Sequence, residues 1–356
     1  MKWNKKHIIL TLLLPLQIGL VQVLSQYPAF IERYYSNGLY PYISKFLRVL
    51  FGWIPFSVGD VIGLILFFCL LRGVYKLIKN RFKHLLTSVL QFTAFLSILY
   101  CCFYLFWGLN YFRIPLAKNL GFEQSKYTSE QLKEVTKHII LKLNEAHLNI
   151  TNNDSLKVVN PYQQKEIYTL ARNGYTNLEG DFPQLKYQYS SVKNSLVSKF
   201  QSYNGTAGYL NPITGEAQVN RLLPKTSYPT TTCHEMAHQI GYSAENEANF
   251  VGFLASIYNK DKYFQYSGYR MAFGYCISEV RKQDKALFKE LWLTVNKGIS
   301  KDFNASYQFW QQYKNPIEPL MKKGYNSYLK ANKQTNGIAS YSYVVDLLIS
   351  YFEKNI

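Results

Sequence analysis

The 356-residue chain reads as a mainly α protein, with three N-terminal transmembrane helices followed by a mostly helical domain that carries a small β-sheet or hairpin. Three observations predict this. Long apolar runs occur before residue 110 and none occur after it. Beyond residue 127, apolar residues recur at helical spacing. One stretch, 204–222, changes to short extended runs around turn residues. The overall 48% hydrophobic and 17% charged content therefore averages two materials, a membrane part (1–109) and an outer domain (110–356).

The apolar runs place spans at about 7–25, 58–78 and 85–107. Roughly 20 apolar residues cross a bilayer as a helix. The middle run is the shortest, and Arg72 must snorkel to the headgroups. No small-x-small cleavage site follows the first run, so it reads as an uncleaved anchor. Lys2, Lys5 and Lys6 precede the first span, and Arg72, Lys76, Lys79, Arg81 and Lys83 lie around the link between the second and third. The positive-inside rule puts both clusters in the cytoplasm. The N-terminus is then cytoplasmic and the outer domain extracytoplasmic. This describes a multi-pass protein of the cell (inner) membrane, facing a periplasm where the cell has an outer membrane. Residues 26–57 would also face outward, and their Pro55 and Tyr-rich text suit a re-entrant or interfacial segment.

The net charge of +18 divides evenly on the two sides of residue 110. Topology explains the first half, and a Lys-rich solvated surface explains the second. No basic-aromatic recognition motif is present, so nucleic acid is not an expected partner. Cys69, Cys101 and Cys102 fall in spans and act as small apolar residues. Cys233 and Cys276 lie in the outer domain, where a disulfide is one option. The absence of CxxC excludes a Cys-based metal site of the usual spacing.

In the outer domain, Tyr127–Ile150 is an amphipathic helix that Thr128 or Ser129 can cap. Its His138 and His147 are nine apart and read as surface or structural residues. A second helix is expected over Pro161–Asn173. In Asn204–Leu222, two extended runs flank a turn built from Asn211, Pro212 and Gly215. Helices resume at Thr230, with Tyr263–Arg281, Lys285–Asn296, Ala305–Ala331 and Tyr341–Glu353 as further candidates.

The chemistry sits in "HEMAHQIGYSAENEAN", residues 234–249. His234 and His238 are one helical turn apart on one face, so both imidazoles can reach one Zn2+ ion. Glu235 is turned away from that shell, but near enough to act as general base on a metal-activated water. This is the arrangement of the HExxH zinc peptidases. A catalytic zinc takes three protein ligands, and Glu245 or Glu247 can supply the third.

The stretch resembles the gluzincins, in which a glutamate on a second helix binds zinc and an acidic residue four positions on orients a ligand histidine. The resemblance implies Glu245 as the ligand and Asn249 in the orienting place, with Glu247 as the rival. Two departures stand out. Asn249 replaces the usual aspartate, and the link from His238 to Glu245 is short. Gly241 makes that link feasible by ending the first helix in the left-handed region, and Ser243 can cap the second. A metzincin third ligand would fall at Ala244, which cannot bind metal. Over nearly its full length the chain is also similar to an uncharacterised bacterial family of multi-pass membrane proteins with a domain of unknown function. The spans, "TGEAQVN", the HExxH stretch, "YSGY" and "YLKANKQTNGIASYSYVVDLL" carry that likeness. It implies a zincin-like domain on a membrane anchor.

An extended substrate could pair with an edge strand at Glu216, Ala217, Gln218, Val219 and Asn220. Tyr266 and Tyr269 are the first candidates to stabilise the oxyanion, with Arg270, Tyr341 and Tyr343 behind them. The expected function is a membrane-anchored zinc metallopeptidase acting on peptide or protein substrates. The alternatives are a zinc hydrolase of non-peptide amides in wall or lipid material, and a non-catalytic scaffold stapled by zinc.

Overall fold

The computed structural model describes residues 5–122, 127–334 and 343–355. Three helices are long and apolar enough to cross a membrane, Lys5–Leu24, Val58–Lys79 and Leu85–Phe106. Their limits match the apolar runs, consistent with a membrane-anchored protein. The first and third lie against each other. Thr11 Oγ1 and Thr93 Oγ1 are 2.8 Å apart across this contact, and Ser97 Oγ donates to Gln17 Oε1 at 3.4 Å. Such polar pairs add directional attraction where lipid and side chain are equally apolar.

Residues between the first two spans are folded, not extended. A short turn at Pro28–Phe30 leads into a π-helical stretch, Ile31–Leu39, and then a helix, Tyr40–Gly52, that we term the docking helix. The second span is capped by Ser57, whose hydroxyl accepts from Asp60 N. Its first backbone N–H groups, on Val58 and Gly59, donate to the Glu216 carboxylate at 3.1 and 2.6 Å. An anion at a helix N-terminus satisfies orphan donors and meets the positive end of the dipole. The part that carries the apolar helices is thus keyed into the rest of the chain. A small core of Val21, Ile31, Tyr35, Tyr40, Trp107, Tyr111, Phe112 and Leu210 joins the span ends to the hairpin.

The chain after residue 110 is helical around one three-stranded sheet. Ser129–Thr151 opens with a capping box between Thr128 and Gln131 and closes at Asn152 in the left-handed region. Gln164–Leu178 follows. The strands are β1 (Val192–Asn194), β2 (Gly208–Asn211) and β3 (Glu216–Val219). The hairpin forms as expected: β2 and β3 are antiparallel, and the turn closes at Gly215 with φ +64. The sheet order is β1-β3-β2, which corrects the edge-strand expectation. Glu216, Ala217, Gln218 and Val219 form the central strand, bonded on both sides. Asn220 is buried just beyond it. The three-residue β1 lies in text without alternation, so it left no periodic signal.

Helices then run through Tyr228–Gln239 (the histidine helix), Glu245–Ile257 (the glutamate helix), Lys262–Gln283, Lys285–Leu293, Lys297–Gln311, Glu318–Ala331 and Tyr343–Asn355. The expected single helix over Ala305–Ala331 is two helices. Pro316 has no amide donor, and Asn315 Oδ1 accepts from Ile317 N and Glu318 N, both at 3.0 Å. The core packs Leu143, Ala171, Tyr175, Phe250, Phe253 and Phe273 around the histidine helix. His147 is buried with Nε2 2.9 Å from Leu156 O, and the His138 ring lies on Phe352. Cys233 and Cys276 are separate buried thiols, each pushed up to about 12 by burial.

Candidate metal centre

The histidine helix begins with Pro229 in its first turn, where a missing N–H costs nothing. Its C-terminal carbonyls would otherwise be orphans. Residues from the membrane side satisfy them. Trp107 Nε1 donates to His238 O at 3.0 Å. Tyr40 OH and Ser44 Oγ donate to Gln239 O at 2.9 and 2.7 Å. The chain then reverses at Gly241, φ +90, whose carbonyl accepts from Arg113 Nη1 at 3.1 Å. A Cβ there would meet Asn110 Oδ1 and the Tyr40 ring at 3.0 Å, so both conformation and space require glycine.

The reversal puts Glu245 in the first turn of the glutamate helix, as expected. Ser243 does not cap that helix. Ala244 is its N-cap, without a side-chain bond, and Ser243 Oγ is buried without a partner. Close approach of the two helices depends on Gly252, where a Cβ would come within 2.9 Å of His234 N and 3.0 Å of its Cα.

Three donor groups converge. His234 Nε2 and His238 Nε2 are 3.1 Å apart. Glu245 Oε2 is 3.3 Å from His234 Nε2, and Oε1 is 3.9 Å from His238 Nε2. Ligands about 2.0–2.1 Å from a tetrahedral ion lie about 3.3 Å from one another, so the spacing fits one cation. His234, Glu235 and His238 also form a group whose ligand atoms all fall within 4.8 Å. His238 Nδ1 is 2.7 Å from Tyr242 O. A carbonyl there fixes the proton on Nδ1 and leaves the Nε2 lone pair facing the cluster. His234 and Glu245 keep 14% and 13% of their side-chain surface open to the cleft, which leaves an ion a way in.

Three of the buried polar atoms left without partners lie in this cluster. Glu235 Oε2, His234 Nδ1 and Asn249 Nδ2 are buried without hydrogen-bond partners. Buried polar atoms are rarely left so, and a cation with its water would occupy part of this capacity. Asn249 does stand in the orienting place. Its amide helps to raise the His234 pKa, but Nδ1 and Nδ2 complete no well-formed bond.

The electrostatics follow from burial and mutual charge. Burial opposes the charged form of His234, yet Glu245 and Glu235 beside it prevail and its pKa is raised. Burial and the His234 charge depress His238 to about 4. Burial pushes Glu235 up to about 8, helped by the Glu245 charge and opposed by His234. Burial also works against the Glu245 carboxylate, but both histidines and the Tyr325 hydroxyl hold it down at about 2. Glu245 is therefore the carboxylate that stays ionised, and Glu235 the one that burial makes ready to hold a proton.

Other expected residues fall elsewhere. Glu247 turns to the opposite side, where Oε1 accepts from Leu116 N at 2.7 Å. It therefore anchors the chain after Arg113 and does not face the histidines. Tyr266 is committed to Asp302 Oδ2 at 2.6 Å. Tyr269 is half-buried and packs on Phe253 at the edge of the core. Neither lines the cleft, which this helix borders instead through Ser267, Arg270, Met271, Gly274 and Tyr275. Arg270 does line it, tied to Ser227, Ser306 and the Asp302 carbonyl. Tyr343 is exposed at the start of the last helix, and Tyr341 lies outside the described residues.

The cleft over the cluster has a volume of about 950 Å³. Its walls supply residues that the sequence did not single out. Tyr325 donates to Glu245 Oε1 at 2.6 Å. Tyr275 lines the cleft, and burial with the nearby Glu245 charge raises its hydroxyl pKa. Edge strand β2, not β3, borders the opening. A side chain at its Gly208 would run into Glu235 Oε1, so the backbone there lies directly against the candidate base. Among 31 tyrosines nothing in the text marks Tyr325 or Tyr275. Gly208 inside an extended run was the available signal for close backbone approach.

No curated protein and no solved structure gives a significant match to the chain. A family model does, and it takes in the docking helix, the second and third spans and the whole cluster: over residues 35–349 the chain belongs to the family described as "Protein of unknown function (DUF3810)".

Proposed function

We propose that this protein is a membrane-anchored, metal-dependent hydrolase of the HExxH, gluzincin-like type, acting on peptide bonds outside the cytoplasm. One observation carries the reading. Two imidazole Nε2 atoms and one carboxylate converge at 3.1–3.9 Å beside a buried glutamate with an unpartnered oxygen. Two histidines and a carboxylate suit zinc among the common divalent ions. Bound there, it would polarise the scissile carbonyl and acidify water.

The chain's own residues do the rest. His238 is held in one tautomer by Tyr242 O, and Glu245 is held ionised by the two histidines, with the Tyr325 hydroxyl behind it. Glu235 takes a proton from the attacking water at Oε2 and delivers it to the leaving amine, with the amide C–N bond broken and one water consumed. Tyr275, a cleft-lining hydroxyl that feels the Glu245 charge, is assigned the role of oxyanion donor. The positive-inside pattern supports an extracytoplasmic face for the cleft.

The test uses full-length protein in detergent or nanodiscs. Metal analysis should return about one zinc per chain, and a pool of fluorogenic peptides should be cleaved. Glu235→Gln should keep the metal and lower turnover by roughly 10²–10⁴-fold. Retained metal with unchanged activity in that variant sinks the catalytic reading.

A further inference from the structure

The docking helix has two faces of different character. Tyr40, Ser44, Leu47 and Arg48 are buried, and two of them bond the end of the histidine helix. Tyr42, Phe46, Val49 and Leu50, with the C-capping Trp53 just past the helix end, are exposed, from 45% for Leu50 to 78% for Trp53. Their spacing of four, three, one and three residues makes one apolar stripe along the helix. Lys45 stands beside it, its ammonium over the Tyr189 ring. A soluble surface does not present such a row of large side chains unless something covers it.

The chain itself names the occupant. The docking helix lies between the end of the first span at Leu24 and the start of the second at Val58, so it is tethered at both ends to the same membrane face. The third span ends on that face too. Trp107 is the residue after its last turn, with its indole 5.9 Å from the His238 ring. Phe103, one turn earlier within the span, lines the same cleft as Glu235. The cleft therefore begins where the span stops. An amphipathic helix with aromatic residues on its apolar face settles in the headgroup layer.

We infer that the docking helix lies in the bilayer interface beneath the histidine helix, and that the cleft acts on substrates anchored in the membrane, at a bond close to the headgroups. The substrate class rests on the hydrolase reading above; the position of the helix does not. Confinement to the same bilayer raises the effective concentration of an anchored substrate over a free one. It also presents the bond at the depth the cleft already occupies.

Two measurements on the full chain in phosphatidylethanolamine–phosphatidylglycerol vesicles decide it. In the first, lipids brominated near the top of the acyl chain quench tryptophan emission. Trp53→Phe should remove a large share of the quenchable signal, and an unchanged quenched share overturns the interfacial placement. In the second, a fluorogenic peptide pool is offered with and without a palmitoyl anchor. The anchored pool should be cleaved at least about tenfold faster. The double variant Phe46→Ser, Trp53→Ser should shrink that advantage with no change on the free pool. Equal rates for the two pools overturn the substrate class while the hydrolase reading stands. Cleavage of neither pool overturns both.

Discussion

Two buried polar clusters flank the sheet, and they differ in how completely their atoms are used. At the head of the second span, Glu216 accepts from Val58 N, Gly59 N, Thr214 Oγ1 and Lys193 Nζ. Asp60 accepts from Leu196 N, Ser195 Oγ and Tyr209 OH. Lys193 also reaches Phe51 O at 2.6 Å. Lys193 matches the Glu216 charge, and both carboxylates accept several hydrogen bonds. Across β3 and β2, the cluster of His234, Glu235, Glu245 and Asn249 keeps three buried atoms without partners. Buried charge alone therefore does not mark a site. A saturated cluster holds elements together, whereas an unsaturated one that also faces a cleft has capacity left for a further partner.

Removal of one residue from each cluster should give opposite signatures. His238→Ala should empty the metal site and take hydrolysis to background, checked by metal analysis and peptide cleavage on the same sample, with the protein still folded in the absence of metal. Glu216→Ala should do the reverse. It strands Lys193 in a buried position and frees two helix N–H groups, a loss of about 3–5 kcal/mol. Thermal unfolding in nanodiscs should show a large drop in Tm, while the folded fraction binds its full metal. A Glu216→Ala protein that keeps its stability but loses metal would erase the distinction between the clusters.

A smaller change tests whether the unsaturated cluster is shaped as well as open. Gly208→Ala adds one methyl where Glu235 Oε1 now sits. Glu235 must move, and displacement of a reacting group by about 1 Å costs up to roughly 10²-fold in rate. Turnover should fall by roughly 10–100-fold with metal content unchanged. A variant with full turnover would show that the strand does not position the base.

How much of this the sequence revealed depends on the range of each interaction. Local patterns were readable. The spans, the Thr128 cap, the Gly215 turn and the one-turn spacing of His234 and His238 each depend on residues within a few positions. The Gly241 reversal and the position of Glu245 followed from the same local geometry. Contacts made across the fold were not readable. Tyr266 is absorbed by Asp302, thirty-six residues on. Strand β3 became central because a three-residue strand from a distant loop pairs with it. Residues 26–57 gave only a weak interfacial signal, and nothing in them announced that Tyr40 and Ser44 would close the end of a helix almost two hundred residues later.

The finest contrast is between Glu245 and Glu247, two residues apart on one helix. Glu245 holds its charge because both histidines and Tyr325 face it. Burial raises Glu247 to about 7, against the pull of the Leu116 N–H and Arg113, and it caps a backbone group far from the imidazoles. Tyr325→Phe removes a single hydroxyl from behind Glu245 and leaves the ring. Partners that orient a ligand typically affect metal affinity by 10–100-fold, and this one is a neutral donor to a carboxylate that keeps two imidazole neighbours. Zinc affinity in a chelator competition should therefore weaken by about tenfold, the low end of that range. Glu247→Gln, which retains an oxygen for Leu116 N, should leave it unchanged. If the two variants weaken zinc equally, Glu245 is not the residue that separates this cluster from the saturated one, and the third ligand must be sought among the other donors of the cleft.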